Sequence, residues 1–211
     1  MTISLTIIIC IITSLISAQA FTNQKMLNQL LFHPLTVKKE GQFYRFLTHA
    51  LVHGDWGHLI INMYVLYQFG EYIEYSFIGI FGKGIGKLAF VGLYLGSVIF
   101  GAIPAYMKHQ NDGFYRSLGA SGGTSGIVFA FVIFNPWQWF IFPPLPAVLF
   151  AIAFLWYSSY LDKKGGDNVA HDAHIWGAVF GFVFTIALIY ILRPELIPYF
   201  IDQFNKGLPW R

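Results

Sequence analysis

Apolar stretches separated by short polar segments dominate the chain, covering about residues 3–21, 58–79, 87–107, 120–134, 146–161 and 173–192. A spanning helix needs about 20 predominantly apolar residues, so the pattern predicts an all-α membrane bundle of six transmembrane helices. The fourth stretch is short. Pro136 stops it, because proline has no N–H and pushes the preceding residue out of helical geometry. About 15 residues remain, roughly 22 Å at about 1.5 Å per residue against a hydrocarbon core of roughly 30 Å. If the far end of this helix reaches one interface, Ser121 at its start lies below the other, beside the polar segment His109 to Gly113.

The first stretch has a rival reading, since Ala18-Gln19-Ala20 resembles a signal-peptidase site after an apolar core. No Lys or Arg precedes that core, so a retained helix is expected. Thr22 to Gly57 is mixed in character and too polar to span, which suits a long membrane-associated first loop. Within the second stretch, Asn62, Gln68, Glu71 and Glu74 are expensive in hydrocarbon and should face the bundle interior or an interface.

Composition agrees with this pattern. The 211 residues are 56% hydrophobic and only 11% charged, whereas about a quarter of a soluble domain's residues are charged. A single integral membrane domain over 1–211 is expected. The net charge of +3 arises from scattered groups, and no basic run exceeds Lys38-Lys39 or Lys163-Lys164. A nucleic-acid surface needs a denser patch, so no nucleic-acid partner is expected. Cys10 is the only cysteine and can form no internal disulfide.

Two polar groups in apolar helices carry candidate chemistry. Ser121 sits in Gly119-Ala120-Ser121-Gly122, and His174 opens a face shared with Gly177, Ala178 and Gly181. Small residues let helix backbones approach closely in membranes, and Gly122 and Gly126 give the Ser121 helix a matching face. Ser121 and His174 can therefore meet as nucleophile and general base. No carboxylate lies within either motif, so the arrangement is a dyad. Ser121 is preferred over Ser125 because it begins its helix, where backbone N–H groups are unpaired. A packing role for these glycines and serines is the plain alternative. A metal site built from His49, His53, His58, His171 and His174 is disfavoured, because neither a carboxylate nor an H-E-x-x-H pattern accompanies them.

The G-x-S-G of Gly119 to Gly122, together with the A-H-x-x-G-x-x-x-G of Ala173 to Gly181, resembles the rhomboid family of intramembrane serine proteases. The resemblance implies a six-helix rhomboid bundle that hydrolyses peptide bonds in or near transmembrane segments of other membrane proteins, with no cofactor and no metal. It also implies an oxyanion hole from His58, Asn62 and the backbone N–H of Ser121; the two side chains share one helix face at i, i+4. Family members often have an aromatic residue four positions after the serine, stacked on the base; here that position is Ser125. Tyr44-Arg45 stands where the family usually has Trp-Arg, in a first loop lying partly in the membrane.

The resemblance further implies that the fifth helix is the lateral gate, flanked by Phe142-Pro143-Pro144 and Lys164-Gly165-Gly166. It places the protein across a bacterial plasma membrane with cytoplasmic termini, although Lys and Arg favour the opposite side. A pseudoprotease that binds transmembrane helices without cleaving them is the alternative function.

Overall fold

The computed structural model describes residues 4–140, 144–164 and 171–207. Among these residues ten α-helices follow in order: α1 (Leu5–Thr22), α2 (Gln24–Leu30), α3 (Pro34–Glu40), α4 (Arg45–Thr48), α5 (Trp56–Phe81), α6 (Lys83–His109), α7 (Ser121–Phe134), α8 (Ala147–Lys164), α9 (His171–Leu192) and α10 (Ile197–Lys206). Among the described residues there is no strand, only isolated bridges between Phe32 and Ser117 and between Trp139 and Pro146. The segments 141–143 and 165–170, which contain Phe142-Pro143 and Gly165-Gly166, lie outside the described residues.

Three helices, α1, α6 and α9, are long and apolar enough to cross a membrane, while α7 and Ala147–Tyr160 of α8 are shorter apolar helices. The surface supports a lipid setting. Ile11, Leu15, Leu88, Val183 and Ile191 are exposed, whereas Ser17, His53, Asn62, Glu74, Ser97 and Thr185 are buried. That distribution inverts the one water imposes. A hydrocarbon solvent explains it.

Several helices outrun the apolar stretches that predict them. α5 begins two residues earlier than 58–79, because Asp55 caps it by accepting a hydrogen bond from the His58 N–H at 2.8 Å. It ends at Gly82, whose φ of 82° a residue with a Cβ adopts poorly. α6 extends past both ends of 87–107, since helical hydrogen bonding continues into polar termini that a hydropathy pattern does not register. The first loop is largely helical: α2, α3, α4 and a 3₁₀ turn at His49–Leu51 fill it.

α7 is the centre of the bundle. Every residue from Gly122 to Ile133 is buried, and α5, α6, α8 and α9 all pack against it. At 14 residues it is about 21 Å long. The segment that leads into its start, Phe114–Ala120, pairs with the first loop through the bridge of Phe32 with Ser117.

α1 joins the bundle through a polar contact in the apolar interior. Glu74 of α5, 1% exposed, accepts from the N–H groups of Leu5 and Thr6 at 2.9 Å each and from the Thr6 hydroxyl at 3.0 Å. Those N–H groups are among the donors that the first turn of any helix leaves unpaired, and a carboxylate there also meets the positive end of the helix dipole. Gly70, one turn above, lets Thr6 approach; a Cβ there would lie 2.9 Å from the Thr6 methyl. Glu74→Ala strips α1 of three hydrogen bonds while leaving buried donors unpaired, each costing about 1–3 kcal/mol. A clear fall in the thermal unfolding midpoint in detergent is expected, and an unchanged midpoint would show that α1 docks without this carboxylate.

Candidate active site

The site is built on the four residues before α7. Phe32 and Ser117 exchange backbone hydrogen bonds at 2.9 and 3.1 Å, and the Gly119 N–H donates to the His49 carbonyl at 2.9 Å. The Ala120 N–H donates to Nε2 of His53 at 3.2 Å. Since that nitrogen accepts, Nδ1 of His53 holds the proton and donates to the Ser17 hydroxyl at 2.9 Å. Ser17 in turn donates to the Leu51 carbonyl at 2.9 Å. α1, the first loop and the segment before Ser121 are thus tied by one fully paired chain of hydrogen bonds.

The first loop is itself anchored by Arg45, 6% exposed, which donates to the carbonyls of Asn28 and Leu31 at 2.9 and 2.6 Å. His49 completes the turn by pairing its Nδ1 with the Arg45 carbonyl at 2.9 Å. Burial pushes His49 down to about 4 and His53 down to about 3; the nearby His58 lowers His53 further. Both imidazoles are neutral at pH 7, as the accepting role of His53 Nε2 requires.

Gly119 has a φ of 114° and lies against His58; a Cβ there would be 2.6 Å from His58 Cε1. Only glycine meets both demands. The chain then enters α7 with Ser121 as its first helical residue and Ala120 as the cap. The first intrahelical donor is the Thr124 N–H, bonded to the Ala120 carbonyl at 3.0 Å. Helix geometry therefore leaves the N–H groups of Ser121, Gly122 and Gly123 without intrahelical acceptors.

His174 reaches this point on α9. A Cβ on Gly177 would sit on the Gly122 carbonyl, and one on Gly181 would sit on the Gly126 backbone. Gly122 also faces the Ala173 carbonyl, 3.4 Å from where its Cβ would be. The α7 and α9 backbones therefore touch beside Ser121, with His174 next to Ala173. Ser121, Ser125, His174, His58 and Asn62 line one cavity of about 1580 Å³. It reaches the Phe114–Leu118 segment at one end and Asn135 and Gln138 at the other, between α5 and α8.

On α5, the Asn62 side chain donates to the His58 carbonyl at 2.9 Å and accepts from the Thr124 hydroxyl at 3.2 Å. One of its two amide hydrogens is left over. The His58 ring stands edge-on to His53, with centroids 5.0 Å apart. His174 makes two ring contacts, a near-parallel stack on Phe154 of α8 at 5.6 Å and an edge contact with His171 at 5.8 Å.

Sequence reasoning did not find three of these contacts. Ser17 is one serine among the hydroxyls of an apolar helix, Thr124 lies beside the more conspicuous Ser125, and Phe154 lies 20 positions before its partner. The spacing of His49 and His53 near Ser121's motif signals only that both belong to the first loop, not which backbone group each holds.

A helical bundle with an apolar exterior and a largely apolar cavity that also gathers a hydroxyl and an imidazole defines a class of integral membrane protein. The rhomboid-domain family model matches residues 40–191. The chain belongs to the rhomboid family, which holds intramembrane proteases alongside inactive rhomboid-like proteins. Among its relatives, RHOMBOID-like protein 12, mitochondrial, of Arabidopsis thaliana is 30% identical over 76% of this chain and 50% of its own length. YdcA of Bacillus subtilis, named as a candidate rhomboid protease, is 25% identical over 71% of this chain and 69% of its own. Rhomboid-related protein 1 of Caenorhabditis elegans is 27% identical over 72% of this chain and 42% of its own. The chain thus spans half the length of the plant relative and less of the nematode one.

The buried imidazoles set a pH dependence. His49 and His53 take up protons below about pH 6.5 when unfolded but only near 4 and 3 when folded. Their depressed values favour the folded state fully above pH 6.5, and the advantage declines as pH falls toward 4 and 3. Unfolding midpoints measured from pH 7.5 to 4 should fall. His53→Gln should make that fall shallower while lowering the midpoint at pH 7.5; an equally steep fall in the variant would remove His53 as a cause.

Proposed function

We propose that this protein is an intramembrane serine protease that hydrolyses peptide bonds in or near transmembrane segments of other membrane proteins, using Ser121 and His174 as a dyad. The observation that carries the reading is the backbone contact of Gly122 with Gly177, which brings the start of α7 and the His174 turn of α9 to one cavity wall. In this reading Ser121 Oγ attacks the scissile carbonyl carbon as the His174 imidazole takes its proton. The new oxyanion receives hydrogen bonds from the Ser121 N–H, the spare Asn62 amide hydrogen and the His58 ring. His174 returns the proton to the leaving amine as the C–N bond breaks. It then deprotonates the water that hydrolyses the acyl-enzyme, and the cavity's opening at Phe114–Leu118 supplies that water.

The reading includes six crossings, made by α1, α5, α6, α7, α8 and α9, with both termini on the cytoplasmic side of a bacterial plasma membrane. α7 and α9 are locked by glycine contacts, and a Cβ on Gly101 of α6 would lie 2.9 Å from the Ala173 carbonyl. α8 contains no glycine and borders the cavity opposite α5, so it is the helix that parts to admit a substrate. A helical substrate hides its backbone in its own hydrogen bonds, so small or helix-breaking residues near the cleaved bond should favour hydrolysis.

Ser121→Ala and His174→Ala should each abolish cleavage of a transmembrane substrate in proteoliposomes while leaving the unfolding midpoint close to that of the parent, and Ser125→Ala should retain activity. Asn62→Ala should lower turnover by about 10²–10³-fold. A parent enzyme whose Ser121 neither cleaves nor reacts with a fluorophosphonate would return the pseudoprotease reading.

Phe69 of α5 and Phe140 before α8 lie with ring centroids 5.3 Å apart. Cross-linking cysteines at these two positions, in a Cys10→Ala background, should block cleavage of membrane-embedded substrate while sparing labelling of Ser121 by a small water-soluble fluorophosphonate. Unchanged cleavage after complete cross-linking would place the gate elsewhere.

A further inference from the structure

The position four residues after Ser121 is Ser125, a hydroxyl with no ring face to offer an imidazole. The face of His174 is covered from another helix. Phe154 of α8 stacks on it with centroids 5.6 Å apart and ring planes 25° from parallel. Among the described residues no hydrogen bond to the His174 ring is formed, so its ring contacts are with Phe154 and with His171, whose edge-on approach is at 87°. An imidazole carried on a side chain with two rotatable bonds needs such a contact to hold its nitrogen toward a nucleophile.

Phe154 is also the end of a chain of aromatic contacts that starts on the opposite side of the cavity. Phe69 of α5 meets Phe140 at 5.3 Å, Phe140 meets Phe150 of α8 at 5.1 Å, and Phe150 lies near-parallel to Phe154 at 6.0 Å. All four phenylalanines and His174 line the cavity. The apolar rings therefore form one wall, with the imidazole as its last member. Displacing α8 away from α5 carries Phe154 with it, whereas α9 stays held to α7 by the glycine contacts. The base and its support are on separate helices.

We propose that Phe154 is a positioning residue for His174, so that the general base is oriented only while α8 lies in place against the cavity. The inference rests on the reading of Ser121 and His174 as a dyad. Aromatic stacking of this kind is favourable beyond burial alone, enough to hold a rotamer. Access and chemistry are thereby kept in sequence: α8 moves out as a transmembrane segment enters, and Ser121 is activated once α8 returns and the ring is again covered.

The test is the rate at which a water-soluble fluorophosphonate labels Ser121, since that probe requires an activated serine but no parting of helices. Phe154→Ala should slow labelling by about threefold to tenfold, as loss of such a stack implies. Phe154→Tyr and Phe154→Trp should retain at least half the parent rate, and Phe154→Leu, similar in bulk but without a ring face, should resemble Phe154→Ala. Unfolding midpoints of all four are measured alongside, and the leucine variant carries the test if the alanine variant does not fold. In a His174→Ala background, Phe154→Ala should cause no further loss. Labelling of Phe154→Leu at the parent rate, or an equal further loss in the His174→Ala background, overturns the positioning role. Labelling of the His174→Ala single variant at the parent rate overturns the dyad itself, a failure the Phe154 variants do not produce.

Discussion

Direct contact between the backbones of α7 and α9 is the constraint on which the rest of the bundle depends. Lipid tails are as apolar as the helix surfaces, so no hydrophobic force drives these helices together, and close packing must supply the attraction. Gly122 against Gly177 and Gly126 against Gly181 allow it at two successive turns, and Gly126 also takes the Ser97 side chain of α6 where a Cβ would otherwise project. A single methyl group at Gly126, Gly177 or Gly181 would press into the neighbouring helix and force the helices apart, whereas one at Gly122 would stand in ordinary contact 3.4 Å from the Ala173 carbonyl. The active-site reading depends on the same contact, because Ser121 and His174 are on different helices and line one cavity beside it.

A second constraint comes from the shortness of α7. A short central helix is entered by a non-helical segment whose buried backbone groups are costly to leave unpaired. The first loop meets that cost directly: Ser117, Gly119 and Ala120 each have a backbone partner or a histidine from residues 32–53. What resembles a long connection is therefore a plug, held by Arg45 and completed by α1 through Ser17.

Much of this was legible in the sequence, and the reasons differ by element. Pro136 and the apolar run before it mark α7 and its shortness, because proline stops a helix in any surroundings. The glycine spacings at 122, 126, 177 and 181 announce a close helix contact, since few other causes place small residues four apart in apolar helices. The helices of the first loop were not legible, because segments of seven residues or fewer have no sustained periodicity. Nor was the partner of His174. Sequence spacing links residues on one helix, whereas Phe154 and His174 are brought together by the packing of two helices. Asn62 was marked for its place on the His58 face, but its bond to Thr124 depends on how α5 is rotated against α7.

Ser17 has a consequence for how the protein assembles. When α1 is alone in lipid, a serine hydroxyl can bond to the carbonyl one turn earlier in its own helix, so the residue inserts without an orphaned donor. Within the folded bundle the same hydroxyl serves Leu51 and His53 instead. A side chain of this kind is a transferable bond, closed inside the solitary helix and reopened toward the loop as its neighbours arrive. A histidine or an asparagine on α1 could make the final contact, but would enter the bilayer with polar atoms that its own helix satisfies less readily. Serine lets the first helix wait.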